Sequence, residues 1–175
     1  MVAVYCAAKM LIEKKIDRII ITRPTVSEEQ LGYLPGDLED KMDPWMAPIY
    51  ENMNLCVGYE ETKTLIENNT VQIKPLAYMR GQTFTNCAII VDESQNVTHA
   101  QMEMLLGRLG RKSKMIICGD LRQKDLKRNQ KSGLPFLLQV SKSVHEVGDI
   151  ELITNHRHEL VEKILDLYKE YTSNA

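Results

Sequence analysis

The chain has 175 residues, 43% of them hydrophobic and 26% charged, a globular composition that excludes a disordered or fibrous protein. Its 22 Lys and Arg against 24 Asp and Glu leave a formal charge of −2, so nucleic acid could be held only by a local basic stripe, not by a net field. Uncharged apolar runs such as Ile19–Ile21 and Ala88–Val91 fall far short of the ~20 residues a bilayer span needs, and no membrane partner is expected.

The length is that of one domain, residues 1–175. Val2 to Lys15 reads as a helix with Val4, Ala7, Ala8, Leu11 and Ile12 on one stripe. Lys9, and the want of a basic segment ahead of it, distinguish this stretch from a secretion signal. Arg18–Thr22 is a β-branched run of buried-strand type, ended at Arg23-Pro24 because proline cannot continue a central ladder. Ser27 to Asp43 is rich in turn residues. Pro35-Gly36 marks a turn, Asp37 an N-cap for a short helix, and Asp43-Pro44 the start of a second helix carrying Trp45, Met46, Ile49, Tyr50 and Met53. A helix over Glu60–Asn68, a strand over Val71–Lys74 and a loop over Tyr78–Thr83 follow.

In the second half, Cys87–Asp92 reads as a fully buried strand, and Thr98-His-Ala-Gln101 is a capping box that opens a helix to about Leu109. Lys114–Gly119 reads as another buried strand, Leu134–Val144 as a helix around Pro135, and Glu151–Thr154 as a last short strand. His158–Tyr171 closes the chain as a helix with Leu160, Val161, Ile164, Leu165 and Tyr168 on its core face. Apolar strands alternating with helices predict an α/β domain whose mostly parallel sheet is covered on both faces. The four cysteines form no CxxC pair, and Cys6, Cys87 and Cys118 sit among apolar residues as small hydrophobes; a reducing cytoplasm is the expected setting.

Ligands of open α/β sheets bind outside the carboxyl ends of the strands, so the polar groups at those ends carry the functional reading. Three ends stand out: Thr22-Arg23, Asp92-Glu93-Ser94-Gln95 and Gly119-Asp120-Leu-Arg-Gln123. Four apolar residues ending in two acids are what a Walker-B element looks like. Asp92 at the tip can hold Mg2+ directly or through water, and Glu93 can polarise a water for attack on a terminal phosphate. The bland alternative is a strand end before a helix that favours acids near its N-terminus. Gln95 adds a neutral group beside the acids. Gly119 lets the backbone approach a ligand and Gln123 can report on a γ-phosphate, although an ordinary Gly-Asp turn has the same composition. One strand-helix-strand crossover separates the two motifs, so both tips can face one crevice. Arg23, Arg80 and Arg157 are candidate phosphate contacts, each equally readable as a solvated arginine. His156 and His158, with no Cys or acid cluster beside them, do not make a metal site.

Residues 20–24 (Ile-Ile-Thr-Arg-Pro), 31–38 (Leu-Gly-Tyr-Leu-Pro-Gly-Asp-Leu) and 75–83 (Pro-Leu-Ala-Tyr-Met-Arg-Gly-Gln-Thr) resemble the PhoH family. So do 89–96 (Ile-Ile-Val-Asp-Glu-Ser-Gln-Asn), 113–120 (Ser-Lys-Met-Ile-Ile-Cys-Gly-Asp) and 130–134 (Gln-Lys-Ser-Gly-Leu). The likeness runs from Met1 to about Tyr168. It implies a cytoplasmic P-loop ATPase related to superfamily 1 helicases, with a RecA-like three-layer sandwich and with ATP and Mg2+ as cofactors. On that resemblance Asp92 handles Mg2+, Gly119 and Asp120 line the nucleotide, Glu93 activates water beside Gln95, and Gln123 senses the γ-phosphate. Arg157 would stabilise charge across the interface of a homo-oligomer, and Thr22, Arg23 and Arg80 would meet RNA or single-stranded DNA.

The family's site begins with a strand and a Gly-rich loop ending Gly-Lys-Thr or Gly-Lys-Ser, which leads into a helix resembling Val2–Leu11. No GxxxxGK[ST] occurs in the 175 residues, and Gly32 and Gly36 precede no Lys-Thr pair. Without that loop a phosphate loses several charge-assisted hydrogen bonds, each worth about 1.5–3 kcal/mol. In the related ATPases the strand before the loop is central, so two neighbouring strands are expected to carry unpaired edges. The expected explanation is an ATPase begun at an internal Met. The alternatives are a phage variant paired with another chain, a non-catalytic binding or assembly remnant, and a metal-dependent ribonuclease using Asp92, Glu93 and Asp120.

Overall fold

Ile19, Ile20 and Ile21 are fully buried, as are Cys87, Ala88, Ile89 and Val91, because neither run has a face turned to water. They form strands β1 (Arg18–Thr22) and β3 (Cys87–Val91) of a computed structural model that describes residues 1–24, 38–153 and 159–173. Strands β2 (Val71–Ile73) and β4 (Lys114–Ile117) complete a sheet of order β2-β1-β3-β4. Every pairing is parallel: Ile20 lies opposite Gln72 on one side and Ile89 on the other, and Ile90 opposite Ile116. The helices are α1 (Val2–Ile12), α2 (Leu38–Val57), α3 (Tyr59–Glu67), α4 (His99–Leu106), α5 (Leu134–Val140) and α6 (Glu159–Ser173).

Strand side chains alternate between faces, and the core divides accordingly. Ile19, Ile21, Ala88 and Ile90 pack with Val4 and Ala7 of α1 and with Ile49 and Met53 of α2. Ile20, Cys87, Ile89 and Val91 pack with Met79, with Met102 and Leu105 of α4, and with Leu137 of α5. Each fully buried Ile contributes about 1.5–3 kcal/mol through the area it removes from water. Helices therefore cover both faces of an all-parallel sheet, the three-layer α/β arrangement expected from the sequence. At the start of α4 the capping box is complete: the Thr98 hydroxyl accepts from the Gln101 N–H, and the Gln101 side chain accepts from the Thr98 N–H at 2.9 Å.

Several expectations need correction. The break at Asp43-Pro44 does not occur, and α2 runs without interruption from Leu38 through Pro44 and Pro48. A proline inside a helix removes one hydrogen bond, and here the packing of Ile49 and Met53 on the sheet outweighs that loss. The turn-rich residues 25–37 lie outside the described residues. Strand β4 is not fully buried: Lys114 is exposed and Met115–Ile117 are half-buried, because β3 is its one strand neighbour among the described residues. β1 pairs β3 and β3 pairs β4 directly, and among the described residues β2 and β4 are the outer strands, each with one unpaired edge. Cys6 is exposed rather than packed in apolar surroundings.

The chain falls into two compact units, Met1–Gln139 and Val140–Ala175. In the second, residues 151–153 are not a strand and α6 spans Glu159–Ser173. Leu160, Val161, Ile164, Leu165 and Tyr168, expected on a core face, are all more than a third exposed. That unit offers no sheet among the described residues on which they could pack. No helix among the described residues is long and apolar enough to cross a membrane.

Candidate functional site

Parallel pairing collects the carboxyl ends of the strands at one end of the sheet, and the order β1-β3-β4 sets the three polar tips side by side. The ladder continues one residue past β3, where the Asp92 N–H donates to the Thr22 carbonyl at 2.9 Å. The chain then turns at Glu93, which has φ 51 and ψ 38, the left-handed region. For a residue with a side chain this costs about 1–3 kcal/mol and persists only where the surroundings hold it. Here the Ser94 N–H donates to the Cys118 carbonyl (2.8 Å) and the Asn96 N–H donates back to the Glu93 carbonyl (2.9 Å).

The two acids meet different environments. Asp92 is half-buried, and its carboxylate has no hydrogen-bond or ion-pair partner among the described residues. Glu93 has both oxygens engaged: Oε1 lies 3.3 Å from Arg23 Nη2, and Oε2 accepts from Gln95 Nε2 at 2.6 Å. Gln95 is fully buried and uses its whole carboxamide. Its second donor contact is to the Gln123 carbonyl (3.2 Å), and its oxygen accepts the Asp120 N–H (3.1 Å). That pattern orients the amide unambiguously and joins the acid pair to the Gly-Asp turn. Gly119 is required where they meet, because a Cβ there would lie 2.6 Å from Ser94 Oγ and 2.8 Å from Gln95 Oε1. Burial pushes the Cys118 thiol up, and the neighbouring Asp92 charge pushes it further, so this cysteine stays a neutral thiol.

Asp120 is tied to its own turn. Its Oδ1 and Oδ2 accept from Arg122 Nε and Nη2 (3.0 and 2.9 Å), Oδ1 also from the Arg122 N–H, and Oδ2 from Gln123 Nε2 (2.9 Å). The Arg122 hydrogen bonds first, then that of Gln123, hold its carboxyl well below the usual carboxylate range. A folded-state value below the unfolded one stabilises the fold above the ordinary carboxylate range, and this contribution fades as pH falls toward the folded value. Asp120→Asn is therefore expected to lower the urea midpoint at neutral pH, with the gap from the parent chain closing below about pH 4. A gap that stays constant across that range would contradict this assignment.

The structure brings Arg23, Asp92, Glu93, Gln95, Gly119, Asp120 and Gln123 to one end of the sheet. Thr22 is there too, but fully buried; its hydroxyl and that of Ser94 are buried without a hydrogen-bond partner among the described residues. Arg80 is exposed on the loop that follows β2, and Arg157 lies outside the described residues. Sequence reasoning passed over Asn96, which is buried and accepts the Asp125 N–H at 2.7 Å, and also the orphan hydroxyl of Ser94. Their signal was available: two more polar residues directly after a buried strand. A shallow groove of about 270 Å3 lined by His99, Met102, Glu103, Leu106 and Phe136 holds none of the strand-tip acids.

Mg2+ takes one or two carboxylates and keeps several waters, so the unpaired Asp92 at a strand tip fits its donor chemistry. Among the described residues no group of three or more His, Cys, Asp or Glu could cage a metal by itself, and Asp120 is committed to Arg122 and Gln123. The three-acid cage of the ribonuclease alternative is therefore not assembled by these residues.

The description "PhoH-like protein" belongs to a family model that matches residues 1–169. Similar relatives include a PhoH-like protein of Bacillus subtilis, 45% identical over 95% of this chain and 53% of its own length. A PhoH-like protein of Synechocystis sp. is 44% identical over 95% of this chain and 52% of its own. Protein PhoH of Escherichia coli is 44% identical over 81% of this chain and 41% of its own. The chain thus spans about half the length of the relatives it matches. Near-complete coverage by the family model, with relatives 44% and 45% identical over 95% of this chain, shows that the chain belongs to the PhoH-like family.

Proposed function

We propose that this chain supplies the magnesium- and water-handling side of an ATPase that acts on RNA or single-stranded DNA. The observation that carries the reading is the hydrogen-bond path from Glu93 through Gln95 to Asp120 and Gln123, which makes the acid pair and the Gly-Asp turn one unit. Asp92 would hold Mg2+, which when bound neutralises charge on the transferring phosphoryl group. Glu93 accepts the proton of the attacking water, and its fixed backbone limits where that water can sit. Gln123, whose carboxamide donates to Asp120, would sense a terminal phosphate. Arg23 at the carboxyl end of β1, and the exposed Arg80 on the loop after β2, would contact a phosphodiester strand. A homo-oligomer in a cytoplasmic setting belongs to the same reading.

Titration calorimetry with Mg·ATP tests it. The expected result is saturable binding that weakens when Mg2+ is withheld and in Asp92→Asn. No heat at millimolar nucleotide would favour the second reading, a non-catalytic binding or assembly module. The want of a GxxxxGK[ST] among these 175 residues is the observation on its side.

A further inference from the structure

Glu93 is engaged on both sides, and the two engagements differ in kind. The bond from Gln95 lies in the interior: Gln95 is 1% exposed, and its other amide atoms are fixed by the Asp120 N–H and the Gln123 carbonyl. The contact from Arg23 is partly solvated, with 25% of the Arg23 side chain and 34% of the Glu93 side chain exposed, and at 3.3 Å it is long. A long, half-wet ion pair exchanges partners readily, whereas a buried and fully satisfied carboxamide does not. The backbone of Glu93 cannot swing away, because hydrogen bonds on either side hold its left-handed turn. A carboxylate that takes a proton from water must turn a lone pair toward that water. Arg23 covers the oxygen that is not committed to the interior.

We propose that Arg23 is a latch on Glu93: a phosphate oxyanion arriving at the carboxyl end of β1 draws the Arg23 guanidinium off Oε1, while Gln95 keeps Oε2 fixed and the carboxylate aimed. The guanidinium fork matches a phosphate at least as well as a carboxylate, so the exchange needs no new chemistry. Arg23 and Gln95 are positioning residues in this account, which rests on the reading of Glu93 as the proton acceptor. The oxyanion can come from the nucleotide's own terminal phosphate or from the backbone of a nucleic acid strand.

Nuclear magnetic resonance of the intact chain with 15N-labelled Arg and Gln separates these cases. The Arg23 Nε and Gln95 Nε2 signals are assigned by their loss in Arg23→Lys and Gln95→Leu. In the free protein Glu93→Gln should shift both. Mg·ATP and a short single-stranded oligonucleotide are then added in separate arms, and the arm that moves the Arg23 signal identifies the source of the phosphate. The Gln95 hydrogen bonds should persist in both. If residues 92–95 and 119–123 respond to a ligand while the Arg23 signal stays still, the latch is refuted and the site reading survives. If neither ligand moves any of these residues, the site reading falls and the latch with it. In turnover, Arg23→Ala should raise the rate without strand by up to about fivefold, the worth of a partly exposed ion pair, and flatten stimulation by phosphate-bearing strands. Arg23→Lys should restore part of that stimulation. A purely structural Arg23 would instead lower both rates together, which would also overturn the proposal.

Discussion

Glu93→Gln, in a version of the chain that carries the family's Gly-Lys-Thr loop, is expected to lower ATP turnover about 10²- to 10⁴-fold, the range lost with a positioned general base. Affinity for Mg·ATP should change little, because Asp92 and the Gly-Asp turn are untouched. The fold should also survive. The Gln95 donor still finds an oxygen at position 93, and the lost partner, Arg23, is partly solvated and costs at most about 1 kcal/mol. Single-turnover kinetics beside calorimetry decides the matter. Unchanged turnover would remove Glu93 from the chemistry, whereas loss of affinity and turnover together would make it a binding residue. Asp92→Asn is the informative contrast, since it should impair the Mg2+ dependence of binding itself.

Gly119→Ala is expected to cost about 1–3 kcal/mol of stability, the penalty of forcing a methyl group into a packed interior. The added Cβ would meet Ser94 Oγ at 2.6 Å, Gln95 Oε1 at 2.8 Å and Leu134 Cδ2 at 2.9 Å. Leu134 can rotate, but Ser94 and Gln95 are fully buried and Gln95 is held at both ends of its amide. The strain must therefore pass into the path between Glu93 and the Asp120 turn, so turnover should fall along with stability. Gly107→Ala is the control. Its Cβ would make ordinary contacts of 3.5 and 3.7 Å at a φ of −67, and the substitution should be neutral or slightly stabilising. Urea unfolding of the two variants checks the difference, and equal midpoints would show that the crevice is looser than the contacts imply.

The legible parts of this chain are those set by neighbours in sequence. β1 was readable to the residue, and β3 to within one, because a strand buried on both faces is an unbroken β-branched run. The capping box was readable because its two partners stand three residues apart. The acids after β3 and the Gly119–Gln123 turn were recognisable because each motif is contiguous. What failed depended on who lies alongside. Met115, Ile116 and Ile117 are as apolar as a central strand, yet β4 is an outer strand. Asp43-Pro44 argues for a helix start, yet packing on the sheet carries α2 through it.

The same division runs through the site. Residue types and spacing were enough to establish an α/β chain with two acids and a Gly-Asp turn at strand tips, since these follow from local sequence and the short reach of a crossover. Only the tertiary structure decided that Arg23 faces Glu93 rather than solvent, that Gln95 is a buried tie rather than a group beside the acids, and that Thr22 is sealed in the core. Those outcomes follow from β1 lying against β3 and β3 against β4, a lateral order that puts residues 70 positions apart within hydrogen-bonding distance. The partner of a polar side chain is a property of that order, and no periodicity along the chain encodes it.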